Sequence, residues 1–287
     1  MAAGFTTTTS VTELIPEITL GVDYIYQAGS LGRSLVNFRE VSGIPGNVVE
    51  FPIYTEIAAS TAAGETATPT SHQMDLTMAS LTLAKRSVYV GLGDLAKKSM
   101  TDPMSIGENM GKAMVKAIDT SIFGVVTTTD YSTSAGSTDQ TMTLTYVLNG
   151  INLLEVNEVD LPVNVVLAPV QFKGIRLGLT PVANDDTVTG ALSDTVGASG
   201  LLSTAFGANW YVSPRIGTRT VDATGSCNSG LIFDSKAIGY GFSWLFEAGV
   251  EGIRSDEALT KLLLNWADSA GIVNASGVCT IYTTTTG

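Results

Sequence analysis

The hydrophobic pattern changes period several times along this chain, and each change predicts an element. Val49, Phe51, Ile53 and Ile57 occupy alternate positions between Val48 and Ile57, the signature of a half-buried strand. A second alternating run carries Met74, Leu76 and Met78, shifts parity to Leu81 and Leu83, and returns at Val88 and Val90, which predicts bulges or strong twist. Between the runs, Ala58 to His72 is small and polar, and structureless loops beyond about 12–15 residues are uncommon inside compact domains. Two long strands joined by such a tip predict a projecting arm. An isolated two-stranded ribbon is marginal in water, so the arm must lean on another surface, for which a neighbouring copy is a candidate.

The clearest helix starts at Asp102-Pro103, an N-cap followed by proline at the first helical position. Ile106, Met110, Ala113, Met114, Ala117, Ile118 and Ile122 then keep the spacing of one buried stripe, with Glu108 and Lys112 at i, i+4 on the outer side. A second helix is predicted over Tyr146 to Val156, then a strand over Val163 to Leu167, a stop at Pro169 and a short helix over Gln171 to Leu177. Short strands are predicted at Trp210 to Val212, Leu231 to Phe233, Tyr240 to Trp244 and through the C-terminal third. Residues 1–45 read as an extended, Thr-rich opening with one short amphipathic piece around Val11 to Leu20. The class is mixed α+β.

Composition narrows the function. The chain has 287 residues, 44% hydrophobic but only 15% charged, against roughly 25% charged in an average soluble protein. That much apolar material excludes disorder, and it raises the question of what covers it. The net charge of −12 argues against a protein that grips nucleic acid through phosphate contacts. The opening residues lack the basic and apolar regions of a secretory signal, and no run approaches the roughly 18 apolar residues of a membrane helix. Cys227 and Cys279 read as small buried hydrophobes, and the sequon at Asn274 reads as chance without a secretory signal. The chain reads as made in a cytosol.

Candidate chemistry is sparse. Gly91-Leu-Gly93-Asp-Leu-Ala96 fits a loose dinucleotide fingerprint but has no βαβ unit around it. Gly29 to Ser34 lacks the lysine and spacing of a phosphate loop, and Ser243 lacks the second glycine of a nucleophile elbow. The single histidine, His72, sits in the arm's tip, a poor place for a catalytic base. Asp185-Asp186 and Asp256-Glu257 read as solvated loop charges rather than metal ligands or a glycosidase pair. No catalytic residue, metal or cofactor is expected.

The order of these parts resembles the major capsid proteins of tailed bacteriophages, the Hong Kong 97 fold. Gly46 to Pro52 resembles the opening of that family's E-loop. Lys85 to Val90, with Gly93 to Pro103, resembles the loop's return into the peripheral domain. Ala113 to Gly124 is similar to the end of the spine helix, Val165 to Phe172 to the strand–Pro–helix step of the axial domain, and Glu251 to Arg254 with Gly271 to Thr280 to the closing strands. The resemblance implies an α+β chain with an N-terminal arm (1–45), an E-loop (46–86), a peripheral domain (87–140) with a spine helix (102–124), an axial domain (141–245) and closing peripheral strands (246–287). It implies hexamers and pentamers tiling an icosahedral shell around double-stranded DNA in a virion made in a bacterial cytoplasm. The partners implied are other copies of the chain, a portal, cement proteins and a scaffolding protein; Met1 favours a separate scaffolding chain over one fused to the N-terminus.

The residues expected at contacts between copies are Phe51, Ile53, Met74, Leu76, Lys85 and Arg86. An acidic subunit suits a lumen that encloses DNA without clinging to it, so Lys85, Arg86, Lys97 and Lys98 read as subunit contacts or solvation. Some family members crosslink through an E-loop lysine, but no lysine lies between Phe51 and Ala84, so non-covalent contacts are expected. Two other readings remain: an encapsulin-like cargo compartment, and a Thr-rich surface-layer or adhesin protein.

Overall fold

The computed structural model describes residues 8–41, 47–54, 74–93, 103–125, 134–136, 140–178, 201–222, 225–243, 249–254 and 259–284. The arm's tip, with Ile57 and His72, lies outside them, as do Lys97, Lys98, Asp102, Asp185, Asp186, Asp256 and Glu257. The chain opens with helices α1 (Thr8–Gly29) and α2 (Leu31–Leu35), then strands β1 (Asn37–Glu40), β2 (Val48–Tyr54), β3 (Leu76–Thr82) and β4 (Ala84–Gly93). The long helix α3 (Pro103–Gly124) is followed by β5 (Ser134–Gly136), α4 (Leu144–Val156), β6 (Val163–Leu167) and α5 (Pro169–Gly178). Strands β7 (Leu201–Ala205), β8 (Ala208–Val212), β9 (Thr218–Asp222), β10 (Gly225–Phe233), β11 (Ile238–Ser243), β12 (Gly249–Arg254), β13 (Leu259–Ile272) and β14 (Val278–Thr284) complete it.

A five-stranded sheet has the order β1-β11-β13-β12, with β4 on the far side of β13. A seven-stranded sheet runs β5-β14-β10-β6-β8-β7, with β9 also on β10, and β2 and β3 form a separate two-stranded ribbon. Alternation along the central strands divides the interior. Val166, Leu231 and Phe233 face one core with Met114 and Ile118 of α3, and Tyr240 and Trp266 of the five-stranded sheet. Val165, Leu167 and Ile232 face a second core with Val147, Ile151 and Leu154 of α4. Every residue of β6 is buried, as a strand packed on both faces requires. Pro169 opens α5 instead of only stopping β6. That is the helix position where proline's missing N–H costs nothing.

The N-terminal segment corrects the expected extended arm. Residues 8–29 form a 22-residue helix despite the threonines and Pro16, and β1 joins the five-stranded sheet in parallel with β11. Tertiary packing overrides weak local propensity here. Helix α1 lies on α3 at backbone distance: a Cβ on Gly21 would be 2.6 Å from the Met104 carbonyl oxygen, and one on Gly107 would land on the Ile18 carbonyl. Gly111 faces Val22 and Ile25 in the same way. Beyond α1, Arg33 is sandwiched between the Tyr26 and Phe38 rings, 4.5 and 4.4 Å from their centroids, and Tyr26 stacks on Phe242 at 5.3 Å. Burial pushes the Tyr26 hydroxyl up to about 12, so it stays protonated.

One buried carboxylate ties three parts of the chain together. Asp119 of α3 accepts hydrogen bonds from Ser30 Oγ at 2.8 Å and from the Gly32 amide at 3.0 Å, and forms an ion pair with Arg215 beyond β8. The Gly32 amide, in the stretch that loosely suggested a phosphate loop, therefore serves the chain's own carboxylate.

Two substitutions test the helix contact. Gly107→Ala gains about 1 kcal/mol of helix propensity but must push α1 off α3, so it should lower stability by roughly 1–3 kcal/mol in chemical denaturation. Gly124→Ala, with open space around the new methyl, should be neutral or mildly stabilising.

Candidate functional site

The ribbon divides into a root buried in its own chain and an outward face that the chain leaves bare. β2 and β3 pair in unbroken antiparallel register, from Val48 opposite Thr82 to Tyr54 opposite Leu76. Directly opposed residues share a face. One face therefore holds Val49 with Leu81, Phe51 with Ala79 and Ile53 with Thr77; the other holds Pro52 with Met78 and Tyr54 with Leu76. The parity shift in the sequence is thus not a bulge within β3. Apolar residues move from the outward face at Leu76 and Met78 to the inward face at Leu81, and Leu83 then separates the ribbon from β4.

The root rests on a floor of glycines. Val49, Phe51 and Leu83 form a small core with Ala267, flanked by Leu81 and Val273. Beneath them, a Cβ on Gly239 would lie 3.0 Å from the Phe51 ring, one on Gly241 2.8 Å from Val49 Cγ2, and one on Gly271 would overlap Leu81 Cδ2. Three missing side chains let the ribbon lie flat on β11 and β13. Arg39 of β1 closes the edge, donating to the Glu50 carbonyl at 2.7 Å with its guanidinium 5.3 Å from the Phe51 ring centroid.

The same root carries an ion pair whose carboxylate is buried. Arg86, near the start of β4, places Nε 2.6 Å from Asp268 Oδ1 of β13, and its Nη2 donates to Ser121 Oγ of α3 at 3.1 Å. Tyr240 donates to Asp268 Oδ2 at 3.4 Å. Burial raises the Asp268 carboxyl above its ordinary value, outweighing Arg86, which acts to lower it.

The six expected contact residues separate accordingly. Phe51 is completely buried in its own chain, and Ile53 is half-buried on the same inward face. Arg86 serves its own sheet and helix. Met74 and Leu76 are each 50% exposed, and Lys85 is exposed on β4. Tyr54, 60% exposed, and Met78, 47% exposed, complete the outward stripe with Leu76 and Pro52. Tyr54 went unnoticed in the sequence although it keeps the even-position rhythm of Pro52. The glycine floor was signalled by Gly239-Tyr-Gly241, because glycines at alternate strand positions mark close backbone approach.

The loosely enzymatic features dissolve into structure. Gly91 and Gly93 pair in register with Lys261 and Leu259 as the end of β4, not as a phosphate-binding turn. Ser243 ends β11, its Oγ 3.5 Å from the Val41 carbonyl. Cys227 and Cys279 are buried, and burial pushes the Cys279 thiol up to about 12. Among the described residues no cluster could hold a metal ion, and no helix is long and apolar enough to cross a membrane.

No protein-family model matches the chain, and no curated protein matches it in sequence. Solved structures match its fold. The head structure of Helicobacter pylori bacteriophage KHP40 superposes with a TM-score of 0.65 at 9% identity, covering 89% of this chain and 90% of that one. The capsid structure of cyanophage P-SCSP1u gives a TM-score of 0.62 at 14% identity, covering 89% and 88%. A virus-like particle from Pyrococcus furiosus gives 0.56 at 12% identity, covering 94% and 98%. The chain has the mixed α+β fold of these shell proteins.

Two measurements separate root from stripe. Phe51→Ala should cost about 3–5 kcal/mol of subunit stability, whereas Leu76→Ser and Met78→Ser should each change it by less than about 0.5 kcal/mol. The Asp268 proton is retained in the folded chain after the unfolded chain has released it. Its stability contribution is therefore present in acid and lost as pH rises past the ordinary value of 3.8. Denaturation from pH 4 to 7 should show Asp268→Asn gaining on the natural protein as pH rises; a constant difference would refute the assignment.

Proposed function

We propose that this protein is the structural subunit of a virus capsid, building an icosahedral shell of hexamers and pentamers around the double-stranded DNA of a tailed phage. The observation that carries the reading is the outward stripe of Tyr54, Leu76 and Met78 on a ribbon whose root is fixed to its own chain. Apolar side chains held away from the body gain nothing for the subunit alone. They gain burial when a neighbouring copy covers them, at roughly 25 cal/mol per Å² of apolar surface removed from water. The shared fold of a phage head and a phage capsid supports the same reading.

In this reading the ribbon is the E-loop, α3 is the spine helix, the five-stranded sheet with α1 and α3 forms the peripheral domain, and the seven-stranded sheet with α4 and α5 forms the axial domain. The role is structural, without cofactor or metal. Of the expected contact residues, Met74, Leu76 and Lys85 keep that assignment; Phe51, Ile53 and Arg86 act by fixing the ribbon's direction. A portal, a scaffolding protein and cement proteins are the further partners, and the location is the virion, assembled in the bacterial cytoplasm. A shell without a genome is the second reading, favoured by the full-length match to the virus-like particle.

Negative-stain microscopy tests the proposal. The purified chain should form closed angular shells that run as single-chain bands on a denaturing gel. Leu76→Asp with Met78→Asp should fold normally yet stay unassembled. Fibres or sheets from the natural sequence, or a chain that stays monomeric even when co-expressed with its scaffolding protein, would overturn the reading.

A further inference from the structure

The only two non-glycine residues with left-handed backbone among the described residues are Glu158 at φ 59°, between α4 and β6, and Phe206 at φ 55°, between β7 and β8. Phe206 and Gly207, the latter at φ 70°, are the two turn residues of the β7–β8 hairpin, closed by Ala205 opposite Ala208. Turns with positive φ at both positions take Asn, Asp or Gly because a bulky side chain is strained there. This chain instead holds a phenylalanine there, 54% exposed, beside Leu161, 46% exposed, whose Cδ1 lies 2.7 Å from where a Gly207 Cβ would be. Strain retained for an exposed ring points to a use for the ring outside the subunit. The stretch leading into Leu161 is acidic, with Glu155, Glu158 and Asp160 all exposed.

A complementary surface starts at the opposite end of β6. β6 and β8 run parallel, with Val163 beside Ala208, so Leu161 and Phe206 precede the same end of the sheet, while α5 leaves from the other. The exposed face of α5 carries Val170, Lys173 and Arg176 one turn apart. Arg176 is held over the Phe172 ring at 5.4 Å, and neither cation pairs with a carboxylate among the described residues. In a chain of net charge −12, this is an apolar position flanked by two exposed cations.

We propose that the Leu161–Phe206 tip of one copy docks on the α5 face of the next, with Glu158 and Asp160 meeting Lys173 and Arg176. The contact joins unlike surfaces, so it is head-to-tail, the kind that closes into a ring when the rotation between copies divides a full turn, and its opposite charges set the register. The inference rests on the shell reading and names the contact that closes each ring.

A charge swap tests it. Glu158→Lys with Asp160→Lys should reduce the assembled fraction, measured by sedimentation and negative stain, by about tenfold or more, a change of about 1.4 kcal/mol. Lys173→Glu with Arg176→Glu should do the same, and the chain carrying all four substitutions should recover assembly. Phe206→Gly should melt higher, because strain is relieved, yet assemble less. A four-substitution chain that stays unassembled, or charge-reversed chains that assemble normally, would overturn this contact while leaving the shell reading intact. A natural chain that stays monomeric even when co-expressed with its scaffolding protein would overturn both.

Discussion

The ribbon stands or falls on three side chains that are absent. Two paired strands do not hold themselves in water, and β2 and β3 hold because Gly239, Gly241 and Gly271 leave room for Val49, Phe51 and Leu81 on the five-stranded sheet. Arg39 and the Arg86–Asp268 pair fasten the two edges of that root. The antiparallel register then sends Tyr54, Leu76 and Met78 to the opposite face. The bare stripe is therefore a consequence of how the root is buried: one face cannot be packed without turning the other outward.

Scarce charge is used in the same economical way. Arg33 and Arg39 lie on aromatic rings, Arg86 and Arg215 on buried carboxylates. These four fix N-terminal helices, ribbon root and the β8–β9 loop to one frame, and planar guanidinium groups suit such sites better than lysine's compact ammonium does. Lys85, Lys112, Lys116 and Lys173 remain exposed. A protein with 15% charged residues thus leaves few charges on its surface, and uncovered apolar patches become tolerable when the working state is a lattice of copies.

What could be read from the sequence followed from local periodicity. The stripe of α3, the run of β6 and the alternation of β2 each encode one element within a few residues, and their order resembled the capsid fold that the solved structures share. What could not be read depends on partners distant in sequence. Helix α1 exists because Ile18 and Val22 meet Gly107 and Gly111 some ninety positions later, and Pro16 with its threonines disguised it. Phe51 looked like a contact for a neighbour because alternation gives a strand two faces without saying which one its own sheet takes. Nothing local in the sequence marks Asp119 and Asp268; only folding brings their arginines to them.

If the shell reading holds, the outward stripe is covered only by another copy. Both native cysteines are buried, so Leu76→Cys introduces one accessible thiol, and its labelling rate can be compared before and after assembly. Labelling should be fast in the free subunit and strongly suppressed in the shell; equal rates in both states would show that no neighbouring copy covers the stripe.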